Sequence, residues 1–122
     1  MSEYQGQERR KFVRVPFIFP VKYRLVEDEE NREFHALSDN LSEGGIKIIC
    51  MHKVGEGKNM ILQFSLPTSE GIFEIHCQGH VAWYQENENR SFCGVQFSNL
   101  EEEHQLVLHN FIKRICEFRG AE

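Results

Sequence analysis

The chain's 122 residues suffice for one domain, because two halves would each be too small to bury a useful core. Its composition, 40% hydrophobic and 27% charged, is typical of a globular protein, and no apolar run approaches the roughly 20 residues of a membrane span. The net charge of −5 argues against nucleic acid or an anionic membrane as a partner.

Two features of the sequence indicate the cytoplasm. The polar N-terminus lacks the apolar core of a signal peptide. The cysteines are scattered through apolar stretches without Cys-x-x-Cys spacing, which favours small buried thiols in a reducing compartment over disulfides or a metal site. These cysteines are Cys50, Cys77, Cys93 and Cys116.

Alternating apolar residues predict strands along most of the chain. Every odd position from Val13 to Leu25 is apolar, which indicates a long strand with one buried face. Pro16 and Pro20 cannot donate a ladder hydrogen bond, so we expect an open edge or a bulge there. Further strands are predicted at 33–41, 46–51, 60–66, 72–84 and 91–97. In the strand at 72–84, the predicted buried face comprises Phe73, Ile75, Cys77, Val81 and Trp83.

After Asn99 the apolar period becomes helical, and Glu101–Glu103 fall in the first turn, where the helix dipole favours acids. The predicted apolar face comprises Leu100, His104, Val107, Leu108, Phe111, Ile115 and Phe118. Short strands followed by one helix predict a mainly β fold, a small six-stranded antiparallel barrel with a C-terminal helix. We expect a flexible tail at 1–8, one domain at 9–118 and a short tail at 119–122.

The sequence contains no motif of a catalytic or metal site. It has no glycine-rich phosphate loop, nucleophile elbow or metalloprotease helix. His76 and His80 would lie about 13 Å apart on a strand, too far for two ligands of one metal ion. We therefore expect no enzyme, no metal and no cofactor, and two histidines that face solvent.

A basic cluster precedes the first strand. Arg9, Arg10, Lys11 and Arg14 lie within six residues, and one interpretation is a solvated edge that discourages strand pairing. The other is a binding site, because an arginine fork can grip a phosphate or the O6/N7 edge of guanine and can stack on a base. In an extended segment, Arg10 and Arg14 would be about 13 Å apart, which suits a long ligand with several acceptors.

A second polar element follows at Asn40-Leu41-Ser42-Glu43-Gly44-Gly45. One interpretation is a simple turn, in which Asn and Ser cap backbone groups and glycine supplies conformational freedom. The alternative is a ligand contact. Asn40 offers a donor and an acceptor, Ser42 offers a hydroxyl, and glycine lets a ligand approach the backbone closely.

Together these elements resemble the PilZ family, whose signature is Arg-x-x-x-Arg followed later by Asp/Asn-x-Ser-x-x-Gly. Arg10 and Arg14 match the first motif; Asn40, Ser42 and Gly45 match the second. The resemblance extends through Val81-Ala82-Trp83 and Gly94-Val95-Gln96-Phe97, and so covers residues 9 to about 118. Asn40 stands where many members carry Asp, which removes a negative charge that could pair with guanine.

The resemblance implies a split-barrel-like PilZ fold and a receptor for cyclic diguanylate (c-di-GMP). Arg10 and Arg14 would contact phosphates and guanine, Asn40 and Ser42 would supply polar contacts, and Gly45 would serve the backbone. Arg9, just before the first motif, is a candidate for stacking or phosphate binding and for holding a second nucleotide. The implied ligand-binding residues are Arg9, Arg10, Arg14, Asn40, Ser42 and Gly45.

The implied output is ordering of the N-terminal arm around the ligand, read by an unidentified downstream protein. The alternative is a PilZ-like adaptor that recognises a protein without binding nucleotide, which the intact motif residues disfavour. Single-stranded RNA binding is disfavoured by the negative net charge and by the expected lack of a basic-aromatic strand face. We expect no nucleic-acid partner and no membrane insertion.

Overall fold

The computed structural model describes residues 13–51 and 53–118, and this part contains seven strands and one helix. The elements are β1 (Val15–Pro16), β2 (Pro20–Leu25), β3 (Phe34–Leu41), β4 (Gly45–Cys50), β5 (Asn59–Thr68), β6 (Gly71–Asn87), β7 (Arg90–Asn99) and α1 (Glu102–Phe118).

Six strands close into an antiparallel barrel. Their order is β3-β2-β5-β6-β7-β4, and β4 pairs back with β3. The short β1 is an extra strand that pairs with the end of β3 beyond β2. Closure leaves no long open edge in the barrel. The predicted mainly β fold, a six-stranded barrel followed by a helix, is confirmed.

The barrel interior is filled by alternate side chains from every barrel strand, as period-two burial requires. Tyr23, Ile48, Leu62, Ile75 and Val81 are each no more than 1% exposed. Burial of one large apolar side chain stabilises the fold by about 1.5–3 kcal/mol. The core is therefore the main source of stability, and the outer faces of the strands are available for function.

Helix α1 covers one end of the barrel. Leu108, Phe111 and Ile112 are buried, and the Phe111 ring lies 4.9 Å from that of Phe17. Ile112 was missing from the predicted apolar face, whereas Phe118 was included wrongly, since it ends the helix 88% exposed. The described part contains no helix whose length and apolarity would let it cross a membrane.

The predicted first strand is interrupted, as its prolines indicated. Strand β1 ends at Pro16, β2 begins at Pro20, and the residues between them are unpaired in the ladder. Ser38 of β3, which is fully buried, fills this gap. Its Oγ donates to the Phe17 carbonyl and accepts from the Phe19 N–H at 3.0 Å. The buried polar groups of the interruption thus find partners.

A bulge in β6 changes the face of Trp83. Val81 is the partner of Val95, but Trp83 is the partner of Gly94, so Ala82 is an extra residue. One inserted residue turns the following side chain to the other side of the sheet. The prediction that Trp83 shares the buried face of Val81 is therefore wrong. Its indole lies outside, against Gly94, where a Cβ atom would collide with the ring.

Candidate functional site

The second motif forms the turn between β3 and β4. Ser42 is only 8% exposed, and its N–H donates to the Gly45 carbonyl at 2.9 Å. Its Oγ accepts from the N–H groups of Gly44 and Gly45 at 3.2 and 3.1 Å. These contacts satisfy backbone donors that the turn would otherwise leave unpaired. Within the protein, Ser42 therefore shapes the turn.

The close approach of β7 requires a glycine at position 45. Gly45 is the strand partner of Gln96, and a Cβ atom at this position would collide with the carbonyl oxygen of Val95. Because that neighbour is backbone, a larger residue would require the two strands to separate. The glycine thus holds the turn tightly against the barrel.

Asn40 lies on the outer face of the barrel, at the end of β3. Its strand partners are Pro16 of β1 and Lys47 of β4. Lys47 is in turn the partner of Gly94, and Gly94 is the partner of Trp83. We call this line of four residues across β3, β4, β7 and β6 the outer row; its members are Asn40, Lys47, Gly94 and Trp83.

Arg14 enters the described structure beside the second motif. It precedes Val15, whose partner is Leu41, so the antiparallel direction of β1 brings Arg14 next to Ser42. The Arg14 side chain is exposed. The structure therefore brings one arginine of the first motif to the second motif. Arg9 and Arg10 lie outside the described residues.

Lys47, in the outer row, lies near two aromatic rings. The Nζ atom of Lys47 lies 5.8 Å from the centroid of Trp83 and 5.7 Å from that of Phe92. The guanidinium of Arg90 lies 5.9 Å from the Phe92 centroid. These distances fall within the range of cation–π attraction. The outer face therefore presents positive charge beside flat aromatic rings.

Sequence reasoning missed this basic and aromatic surface. The expectation that no basic-aromatic strand face exists is wrong, because Lys47, Trp83, Phe92 and Arg90 form one. Alternation could have placed Lys47 outside, since Ile46 and Ile48 on either side of it are buried. The position of Trp83 depends on the β6 bulge, which no composition signal marks.

The histidines and cysteines in the described part of the chain form no metal centre. Among residues 13–51 and 53–118, no group of three possible metal ligands comes together. His76 contacts Glu74, and His80 contacts Asn59. Three of the cysteines are buried as expected, and burial raises the pKa of the Cys77 thiol to about 12.

Comparison with protein families decides what kind of domain carries this site. The PilZ domain sequence model matches residues 8–114, which include both motifs, the whole barrel and most of helix α1. The chain belongs to the PilZ family. No protein with a curated description matches it.

Solved structures of other PilZ-containing proteins share the fold. The Bacillus subtilis inhibitor of motility MotI (DgrA) is 24% identical with a TM-score of 0.72, over 89% of this chain and 52% of that one. YcgR from Escherichia coli, in complex with c-di-GMP, is 17% identical with a TM-score of 0.66, over 91% and 47%.

The PilZ domain of YcgR with c-di-GMP is 16% identical with a TM-score of 0.59, over 93% of this chain and 99% of that one. The chain thus spans about half the length of MotI and of intact YcgR. At these identities the likeness shows the PilZ barrel and its topology.

Proposed function

We propose that this PilZ protein is a receptor for c-di-GMP that binds the nucleotide on the outer face of the barrel, beside β1. The observation that carries the proposal is the pairing of β1 with β3, which brings Arg14 beside Ser42 and pairs Pro16, two residues further along β1, with Asn40. Two similar solved structures, YcgR and its PilZ domain, hold c-di-GMP. Both family motifs are intact in this chain.

The charges of the site suit a ligand with two phosphates. The chain carries a net charge of −5, yet Arg14, Lys47 and Arg90 lie on the face of the proposed site, and Arg9 and Arg10 precede it. Arginine binds phosphate through paired, charge-assisted hydrogen bonds and can also read guanine. In this proposal Arg10 and Arg14 bind phosphate and guanine. Asn40, in the outer row, contacts the edge of a base.

The role of Ser42 and Gly45 is to present the turn to the ligand. The Ser42 Oγ contacts the backbone of Gly44 and Gly45, so its removal would alter the turn as well as any contact with the nucleotide. Gly45 serves through close packing against β7. Neither residue has a role in covalent chemistry. We propose a receptor without catalysis, metal or cofactor.

The N-terminal arm, the segment before β1, would transmit the signal. Binding of c-di-GMP through Arg9, Arg10 and Arg14 would order residues 5–14 on the barrel, and a downstream protein would read the ordered arm. Arg9 would stack on a second nucleotide, so we expect two nucleotides per chain at saturation. We propose that the protein acts in the cytoplasm.

Titration calorimetry of the full chain with c-di-GMP tests the proposal. We expect a Kd near 1 μM, about −8 kcal/mol, and far weaker binding of GMP, which cannot reach both motifs. Arg14→Ala should weaken binding by about 1.5–3 kcal/mol, the cost of a charge-assisted contact. Arg24→Ala is the matched control, because Arg24 lies on β2, outside the outer row, and hydrogen-bonds to Asn31.

The outcomes separate the proposal from its alternative. Absence of both heat and a thermal shift at about 100 μM ligand would overturn the proposal and favour the alternative, a PilZ adaptor that recognises protein without binding nucleotide. A wild-type ratio of one nucleotide per chain would remove the role of Arg9, for which Arg9→Leu is the direct variant. Unchanged hydrogen exchange at residues 5–14 on binding would remove the arm as the output.

A further inference from the structure

We infer that Lys47 is an additional phosphate-binding residue of the c-di-GMP site, and that Asp39 restrains ligand affinity by holding the Lys47 ammonium in the free protein. This inference rests on the proposed function and adds two residues that lie outside both family motifs. It is carried by the geometry of a bulge in β3.

Asp39 is the extra residue of that bulge. Ser38 is the partner of Ile48, and Asn40 is the partner of Lys47, so Asp39 has no partner of its own on β4. A bulged residue can direct its side chain away from the regular ladder. The Asp39 carboxylate lies against the Lys47 side chain, with Oδ2 3.1 Å from Nζ.

Lys47 is positioned to meet a phosphate at the proposed site. It is the neighbour of Asn40 in the outer row, and its Nζ lies near the Trp83 ring. The Lys47 and Asp39 side chains are 31% and 40% exposed, so a ligand can reach both. A phosphate oxygen would compete with the Asp39 carboxylate for the same ammonium group.

The competition has a predictable sign. An exposed ion pair stabilises a protein little, so a dianionic ligand can displace Asp39 from Lys47. Breaking the Asp39–Lys47 pair offsets part of the free energy that the contact between the phosphate and Lys47 provides. Removing the Asp39 charge should therefore tighten c-di-GMP binding, and removing the Lys47 charge should weaken it.

Lys22 and Glu33 provide a matched control on the same barrel. Their Nζ–Oε2 distance is 3.6 Å, and both side chains are exposed. Lys22 is on β2, where its strand partners are Gln63 and His35, so it lies outside the outer row. Lys22→Gln removes the same charge from the whole protein without touching the proposed site.

Calorimetry of full-length variants with c-di-GMP tests the inference. We expect Lys47→Gln to weaken binding about tenfold, equal to 1.4 kcal/mol, and Lys47→Arg and Lys22→Gln to stay within about threefold of wild type. Asp39→Asn should tighten binding about threefold, and this gain should disappear in the Lys47→Gln background, as coupled residues require.

Each other outcome has a definite meaning. Wild-type affinity of Lys47→Gln, with weakened Arg14→Ala, overturns the inference and leaves the proposed function standing. An equal gain from Asp39→Asn with and without Lys47 shows bulk charge repulsion and overturns the restraint by Asp39. A wild-type chain that binds no c-di-GMP overturns the proposed function itself. Thermal unfolding of every variant confirms that it is folded. If Lys47→Gln does not fold, Lys47→Met removes the same charge and takes its place.

Discussion

The Nδ1 atom of His109 lies 2.8 Å from Oε2 of Glu43, so helix α1 contacts the turn that carries the second motif. Glu43 follows Ser42 directly in that turn. The rest of the helix packs against the end of the barrel through apolar side chains such as Leu108 and Phe111. A ligand-induced shift of the turn would therefore reach the helix through a polar contact.

His109→Ala should weaken this link with little effect on global stability. Both side chains are partly exposed, and surface pairs contribute about 0–1 kcal/mol. We expect the free energy of unfolding to fall by no more than that amount, while amide exchange accelerates at residues 102–109. Lys113→Ala, an exposed change on the same helix, should leave the exchange unaltered. Equal exchange in the two variants would mean that the contact does not hold the helix.

Ser38→Ala should destabilise the barrel clearly. The hydroxyl hydrogen-bonds to the backbone at both ends of the interruption, at Phe17 and Phe19. Its removal leaves buried backbone groups without partners, at a cost of about 1–3 kcal/mol. Urea denaturation measures this loss. Ser65→Ala, on an exposed position of β5, should change stability by less than about 0.5 kcal/mol.

Much of the barrel could be predicted because each strand buries one face. Val21 and Tyr23 alternate with exposed or half-buried neighbours, and the two prolines marked the interruption between β1 and β2. The bulges in β3 and β6 were beyond this reasoning. A single extra residue, Ala82 or Asp39, changes which side chains share a face, and no residue type specifies it.

The candidate site was only partly predictable, for a related reason. The motifs pointed to Arg14, Asn40 and Ser42, but their proximity depends on the long-range pairing of β1 with β3. Alternation with its two buried neighbours could have placed Lys47 on the outer face. Its contact with Asp39, however, depends on the bulge in β3. Trp83 lies on the same outer face because of the β6 bulge at Ala82.

Gly94→Ala should displace the indole of Trp83. A Cβ atom at Gly94 would collide with the ring, and the ring can move because it is the far part of a side chain. Since Trp83 is the one tryptophan of the chain, its fluorescence reports the change directly. We expect a red-shifted emission as the ring gains solvent contact. Ser98→Ala, an exposed change on β7, should leave the emission unchanged, and an unshifted Gly94→Ala spectrum would contradict the packing.

Cys116 should be the first cysteine to react with a thiol reagent. It is partly exposed at the end of α1, whereas Cys50, Cys77 and Cys93 are buried. Burial also raises the pKa of Cys77 to about 12, so its thiol stays protonated at pH 8, and the thiolate is the reactive form. Mass spectrometry after brief alkylation of the native protein should show one modified site. Unfolding in urea should make all of them reactive.

Asp28 should make the β2–β3 connection sensitive to acid. Its carboxylate accepts from the N–H groups of Glu30 and Arg32 and from the Arg32 Nε, each at 3.1 Å. The bond to the Arg32 side chain is the main cause that lowers the pKa of Asp28 in the folded protein. A lowered folded-state pKa stabilises the protein above the unfolded value near 3.9, and this contribution is lost as the pH falls through the folded value. Asp28→Asn should therefore lower the Tm at pH 7, and the difference from wild type should shrink steadily below about pH 4. Glu117→Gln, an exposed change on α1, should show no such convergence, and a constant difference for Asp28→Asn down to about pH 2 would contradict the charge-based role.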